Sequence, residues 1–227
     1  MDENKVRLTR RKLRTPRAAS VAGILFSLLY GAGLLLIRLS IPADQTVSAA
    51  AWLDTNLARV SLALNLVPYS GIAFLWFIGV IRDRLGDLED RFFGTVFLGS
   101  GLLFLATTFV GAALAGGLLS SYASETATII QYGTYTFSRA VMYQIINIYA
   151  IRMEGVFMIS LATIWMRTGL MERGWSYLTY ILALILLLSI GFSLLVTLVF
   201  PVWVFVISVY FLIQNLRNQS EGVVSRN

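Results

Sequence analysis

Of the chain's 227 residues, 57% are hydrophobic and 13% charged, and there is no cysteine and no histidine. The charged share is about half that of an ordinary soluble domain, so water is not the solvent for most of the chain. Without Cys or His, the sequence excludes disulfides, thiolate nucleophiles, the usual zinc sites, histidine-ligated haem and every Ser-His or Cys-His catalytic pair.

Residues 1–17 form a basic arm with Lys5, Arg7, Arg10, Arg11, Lys12, Arg14 and Arg17. The net charge of +6 is concentrated here, beside an apolar run, which points to membrane orientation and not to nucleic acid. That run, about residues 18–39, is the first expected span. It outlasts the roughly 7 to 15 apolar residues of a secretion signal, and further spans follow, so the Arg10-Arg11 pair is read as part of an anchor.

The second span is expected over about residues 60–81. Pro68 lacks the amide that would bond the Leu64 carbonyl, so a kink is expected at Asn65 and Pro68. The charged stretch Arg82 to Arg91 then separates it from a third span, about residues 92–118. Its aspartates do not follow the D-x-x-D-G-x-x-A-R order of metal-dependent lipid-headgroup transferases, and Asp87 with Arg91 suits a solvated helical turn. In the third span Gly111 with Ala115, and Ala112 with Gly116, let helix backbones approach closely in lipid. Packing inside the bundle is the favoured use of that face, ahead of dimerisation.

A fourth span is placed at about residues 147–166, with its start blurred by the apolar, aromatic stretch Tyr143 to Ile151. No charge occurs between Trp175 and Arg217, which is room for two spans, about residues 176–198 and 201–216, joined by a tight turn near Phe200 and Pro201. A tail over residues 217–227 ends the chain. Trp52, Trp76, Trp165, Trp175 and Trp203 all fall near expected span ends, where an interfacial aromatic belt belongs.

With the amino terminus inside, fourteen of the eighteen Lys and Arg face inward. Arg38, Arg59, Arg139 and Arg152 stay outside, and an odd number of spans would add Arg217 and Arg226 to them. The sequence therefore predicts an all-α, polytopic transmembrane bundle of six spans, residues 18–216, with both termini cytoplasmic, in a bacterial inner membrane.

Glu154 is the only acidic residue inside an expected span. Counting from Asn147 it lies about 10 Å along the helix, where an ionisable group is costly and needs a partner. Gln144, Asn147 and Glu154 share a face at 100° per residue. Arg152 points the other way, which leaves Arg38 or Arg59 as the expected counter-charge. A structural ion pair is favoured over a solute or proton site, because one carboxylate alone makes a thin relay.

No catalytic set, metal site or cofactor is expected. The leading functional expectation is a non-enzymatic membrane component or accessory subunit, with lipid and either a protein partner or a second copy as its company. The alternative is a small solute or proton-coupled transporter or channel using the polar stripe around Glu154.

Overall fold

A computed structural model describes residues 15–40, 49–85, 91–124, 134–189 and 194–224. All regular structure among them is helical: α1 (Thr15–Ser40), α2 (Ala49–Leu85), α3 (Arg91–Ser124), α4 (Thr134–Gln144), a π-helix (Ile145–Ala150), α5 (Ile151–Thr168), α6 (Arg173–Leu188) and α7 (Leu194–Val224). Gln144 and Ile151, flanking the π-helix, both keep right-handed helical dihedrals, so α4, the π-helix and α5 form one unbroken rod. Five helices are long and apolar enough to cross a membrane, and α6 is a shorter apolar helix of 16 residues. At 1.5 Å per residue α6 covers about 24 Å, somewhat less than a hydrocarbon core of ~30 Å.

The distribution of side chains is that of a protein dissolved in lipid. Leu28, Trp76, Leu103, Ile181 and Leu195 face outward, whereas Ser20, Ser100, Ser160, Ser176, Thr179 and Ser208 are buried. Three of these hydroxyls, those of Ser100, Ser160 and Thr179, fold back on the preceding turn, as does that of Ser27. Ser27 Oγ donates to the Gly23 carbonyl at 2.8 Å, Ser100 Oγ to Val96 at 2.7 Å and Ser160 Oγ to Val156 at 2.8 Å, satisfying groups that hydrocarbon cannot hydrate.

Helix α1 packs on α2 and α7, and α5 packs on α3 and α6. Small residues make these approaches close. A Cβ added at Gly23 of α1 would collide with Ser208 Oγ of α7 and lie 2.8 Å from the Phe77 ring of α2. One at Gly155 of α5 would lie 3.1 Å from the Ala183 carbonyl of α6. Polar links add register: Thr163 and Tyr180 hydroxyls meet at 2.7 Å between α5 and α6, and the Trp203 indole N–H of α7 donates to Thr179 Oγ1 of α6 at 3.0 Å. Interhelical hydrogen bonds of this kind contribute on the order of 1 kcal/mol each in a membrane.

The bundle's centre is a cluster of rings. Phe26, Phe74, Phe104, Phe157 and Phe200, from five different rods of the fold, are all fully buried, with centroid separations of 4.7 to 6.2 Å.

Two features differ from the sequence reading. The helix expected to begin near Asn147 extends back to Thr134, because the π-helix absorbs the ambiguous stretch around Tyr143 to Ile151 and does not break the rod. The interruption expected near Phe200 and Pro201 lies earlier. Helix α6 ends as Ser189 turns to extended geometry (φ −62°, ψ 124°), and α7 runs through Pro201 with Phe200 fully buried. Gly191 and two serines make the earlier stretch the weaker helix former. Consequently Trp203 lies inside the bundle with Trp165, both nearly fully buried and 6.0 Å apart, while Trp76 is 67% exposed as a belt residue would be. Trp52 lies outside the described side chains.

At the end of α5, Gly169 adopts φ +66° and its N–H donates to the Trp165 carbonyl at 2.9 Å. That left-handed position favours glycine and terminates the helix. Two residues earlier, the Arg167 guanidinium lies 4.7 Å from the Phe93 ring centroid of α3.

Candidate functional site

The apolar span Ala140–Thr168 has 29 residues, and Glu154 is its middle one. It therefore lies about 21 Å from either end along the rod, roughly twice the depth that counting from Asn147 gives. Its side chain is 2% exposed, and Oε2 has no hydrogen-bond partner. No described Lys or Arg forms an ion pair with it; burial alone sets its environment. Ionising a carboxyl in such a place requires a countercharge, and among the described residues none supplies one.

The cluster expected from sequence is only partly assembled. Arg59 is exposed on α2, and the Arg38 side chain lies outside the described residues. Arg152 is half-buried, and its Nη1 donates to the Ile148 carbonyl at 3.0 Å on its own rod. Gln144 is exposed. The π-helix explains that departure: it fits more residues into each turn, so each residue advances by less than 100°, and the lag rotates Gln144 away from Glu154. Asn147 stays on the inner side. Its Nδ2 donates to the Tyr143 carbonyl at 3.1 Å, and its Oδ1 is buried without a partner.

Asn147 faces a cavity of about 290 Å³. The wall is built by the second half of α1 (Tyr30, Gly33), the first half of α2 (Leu64, Ser70), α3 (Thr108, Ala112), the α4 and π-helix stretch, and Thr197 of α7. All of these positions belong to one end of the bundle. Towards the other end the cavity is floored by rings: Tyr30 stacks on Phe26 at 5.3 Å and meets Phe104 edge-on at 5.5 Å. Glu154 is not itself in the wall. Tyr30 is the wall residue set near Glu154, and it also stands beside Thr108, whose Oγ1 is buried without a well-formed hydrogen bond.

Two of the five buried side-chain atoms that lack partners, Thr108 Oγ1 and Asn147 Oδ1, thus belong to this wall, and a third, Glu154 Oε2, lies behind it. Buried polar groups without partners are uncommon and mark places where something else binds. Among the described residues no three His, Cys, Asp or Glu come together to hold a metal ion, and a lone carboxyl offers a proton or a charge rather than a coordination sphere.

The packing and kink residues fall around the same cavity. Gly111 and Ala115 are in its wall, and a Cβ at Gly111 would lie 2.6 Å from Ile146 Cγ1 of the π-helix. Gly116 has nothing within 4 Å and belongs to no close crossing. Helix α2 continues through Pro68, with Asn65 and Pro68 both on the outward face, while Leu64, whose carbonyl loses its helical donor to Pro68, lines the cavity. Tyr30, Ser70, Thr108 and Thr197 were not singled out from sequence, since isolated hydroxyls in apolar spans are commonplace. The one available signal was that Tyr30 is the sole tyrosine of α1.

Comparison with protein-family models, with curated proteins and with solved structures finds no match to this chain.

Proposed function

We propose that the chain is a non-enzymatic membrane transporter of six spans that takes a small, largely apolar molecule into the cavity and couples its passage to the proton carried by Glu154. The observation that supports this reading is the unpartnered carboxyl at the middle of a span, behind a cavity wall that itself carries unpartnered polar atoms. A structural ion pair would need a cation near Glu154, and its expected partner Arg59 is exposed. Tyr30, with its ring on the aromatic floor and its hydroxyl towards Thr108, is the natural gate between cavity and carboxyl.

In this reading both termini are cytoplasmic, the membrane is a bacterial inner membrane, and the cavity opens to the outside. The chain has no cysteine, so single cysteines at Ser48, Ser124 and Ser220 label without background. The first two are expected to react from outside and the third only after permeabilisation. External labelling at Ser220 would reverse the orientation.

The coupling is tested with Glu154→Gln. No ion pair among the described residues is lost by that change, so melting in detergent should stay within about 1 kcal/mol of the parent, whereas breaking a buried pair costs roughly 3 to 5 kcal/mol. In liposomes enclosing a pH-sensitive dye, the parent should dissipate an imposed pH gradient when a cargo molecule is supplied, and Glu154→Gln should not. A Glu154→Gln protein that melts like a broken ion pair, with partial recovery on also changing Arg38 or Arg59 to Gln, would instead assign Glu154 to structure.

A further inference from the structure

The polar atoms left over in and behind the cavity wall are acceptors. One N–H of Asn147 Nδ2 is used on the Tyr143 carbonyl, and the atom of this amide that is buried without a partner is the acceptor Oδ1. Glu154, once ionised, accepts and does not donate, and the Thr108 hydroxyl can do either. Among the described residues no Lys or Arg lines the cavity. The rest of the wall is aliphatic, with Leu29, Leu34, Ile37, Val67 and Ile146, and the Tyr30 and Tyr143 side chains add aromatic rings. Among the described residues such a chamber has spare acceptors and no positive charge, and the molecule that completes it brings donors and a charge.

We infer that the cargo is a small amphipathic amine bound as its ammonium ion, with an apolar body in the aliphatic wall, N–H donated to Asn147 Oδ1 and Thr108 Oγ1, and the Glu154 carboxylate as countercharge behind Tyr30. This rests on the proton-linked reading above and names its cargo. An anion would meet unpaired oxygens and a carboxylate. A neutral alcohol brings no countercharge, so Glu154 stays protonated and adds no charge-assisted contact, and a quaternary ammonium has no N–H for Asn147. The Tyr30 ring adds a cation–π face. Aromatic or branched amines of around a dozen heavy atoms suit a cavity of about 290 Å³.

Exchange then balances simply. When the ammonium enters, the Glu154 carboxyl loses its proton to the buffer, the ammonium keeps its own, and the charge of the site is unchanged. No covalent bond to the amine forms. The titratable group set against Glu154 from α1 is Tyr30. On its own rod, Arg152 is turned to the Ile148 carbonyl. The other described charges, Arg59, Arg82 and Asp83 of α2, Arg91 of α3, Arg167 of α5, Glu172 and Arg173 beside and in α6, and Arg217 of α7, stand near or beyond the ends of their apolar segments.

Three probes with one apolar body separate the possibilities: naphthylmethylamine, naphthylmethanol and naphthylacetate, titrated calorimetrically into the full chain in detergent. The amine is expected to bind about tenfold more tightly than the alcohol, the worth of a charge-assisted hydrogen bond, and the acid not to bind. Amine affinity should rise with pH, with a buffer-dependent heat that reports one released proton. Glu154→Gln should bring the amine down to the alcohol's level and flatten its pH profile. Asn147→Leu, which leaves the carboxyl in place, should also remove most of the preference, and Ala112→Trp, which fills the cavity, should abolish binding of amine and alcohol alike. Equal binding of amine and alcohol by the parent would overturn the amine assignment while leaving the cavity as a solute site. Failure of all three probes to bind would overturn both.

Discussion

Phe157→Ala should be the most damaging single truncation in the bundle, lowering stability in detergent by about 3 kcal/mol or more. Phe157 is fully buried on α5, and its ring lies 4.5 Å from Phe97, 5.3 Å from Phe74, 5.7 Å from Phe200 and 6.4 Å from Trp203, so it joins α5 to α2, α3 and α7 at once. In a bilayer the apolar transfer term shrinks, since lipid is as apolar as the core, and what remains is the lost packing and the hole left behind. The residue's position makes that hole hard to close, because the Gly101 side offers no atoms to fill it: a Cβ built there would sit only 3.2 Å from the Phe157 ring. The fitting control is Phe92→Ala, whose ring is 66% exposed and touches mainly Phe93 at 5.1 Å. It should cost less than about 1 kcal/mol, in line with exposed substitutions generally. Denaturant titration of both variants checks the difference, and equal losses would mean that the ring cluster does not carry the bundle.

Gly111→Leu is the second. Even the first carbon of the new side chain would lie 2.6 Å from Ile146 Cγ1 and 2.8 Å from Ile146 Cδ1, against the π-helix. Ile146 must turn or the rod must back away, and overpacking of this kind costs about 1 to 3 kcal/mol. Because Gly111 also lines the cavity, the change should remove solute binding as well as stability. Gly116→Leu, one turn on and with nothing within 4 Å, should do neither. Thermal melts of the two variants side by side decide this; similar losses would remove Gly111 from the crossing.

How much of this was legible in the residues depends on the range of the signal. Uncharged runs are local, so the helices long and apolar enough to cross a membrane could be read directly. Glu154 stood out for the same reason, as the one acid in an apolar stretch. Its depth did not, because a π-helix leaves no mark in composition: Tyr143 to Ile151 reads as a blurred edge and is in fact continuous helix. The same insertion turned Gln144 away from a face that ideal 100° steps assign to it. Pro201 read as the start of a helix, whereas it lies within α7, and α6 ends earlier, where Ser189 turns to extended geometry. The cavity and its ring floor come from residues more than a hundred positions apart, such as Tyr30, Thr108 and Thr197, and no single-sequence periodicity links them.

The account depends most on a chamber that water and solute can enter in front of Glu154. Thr108→Cys puts a thiol at the wall atom that now lacks a partner, and the cysteine-free background makes its modification readable. With a charged, membrane-impermeant methanethiosulfonate reagent, Thr108→Cys should react from one side of the membrane only, while Leu103→Cys on the lipid face should not react. A Thr108→Cys thiol as inert as that at Leu103 would mean the chamber is dry and closed, and would contradict the transport reading.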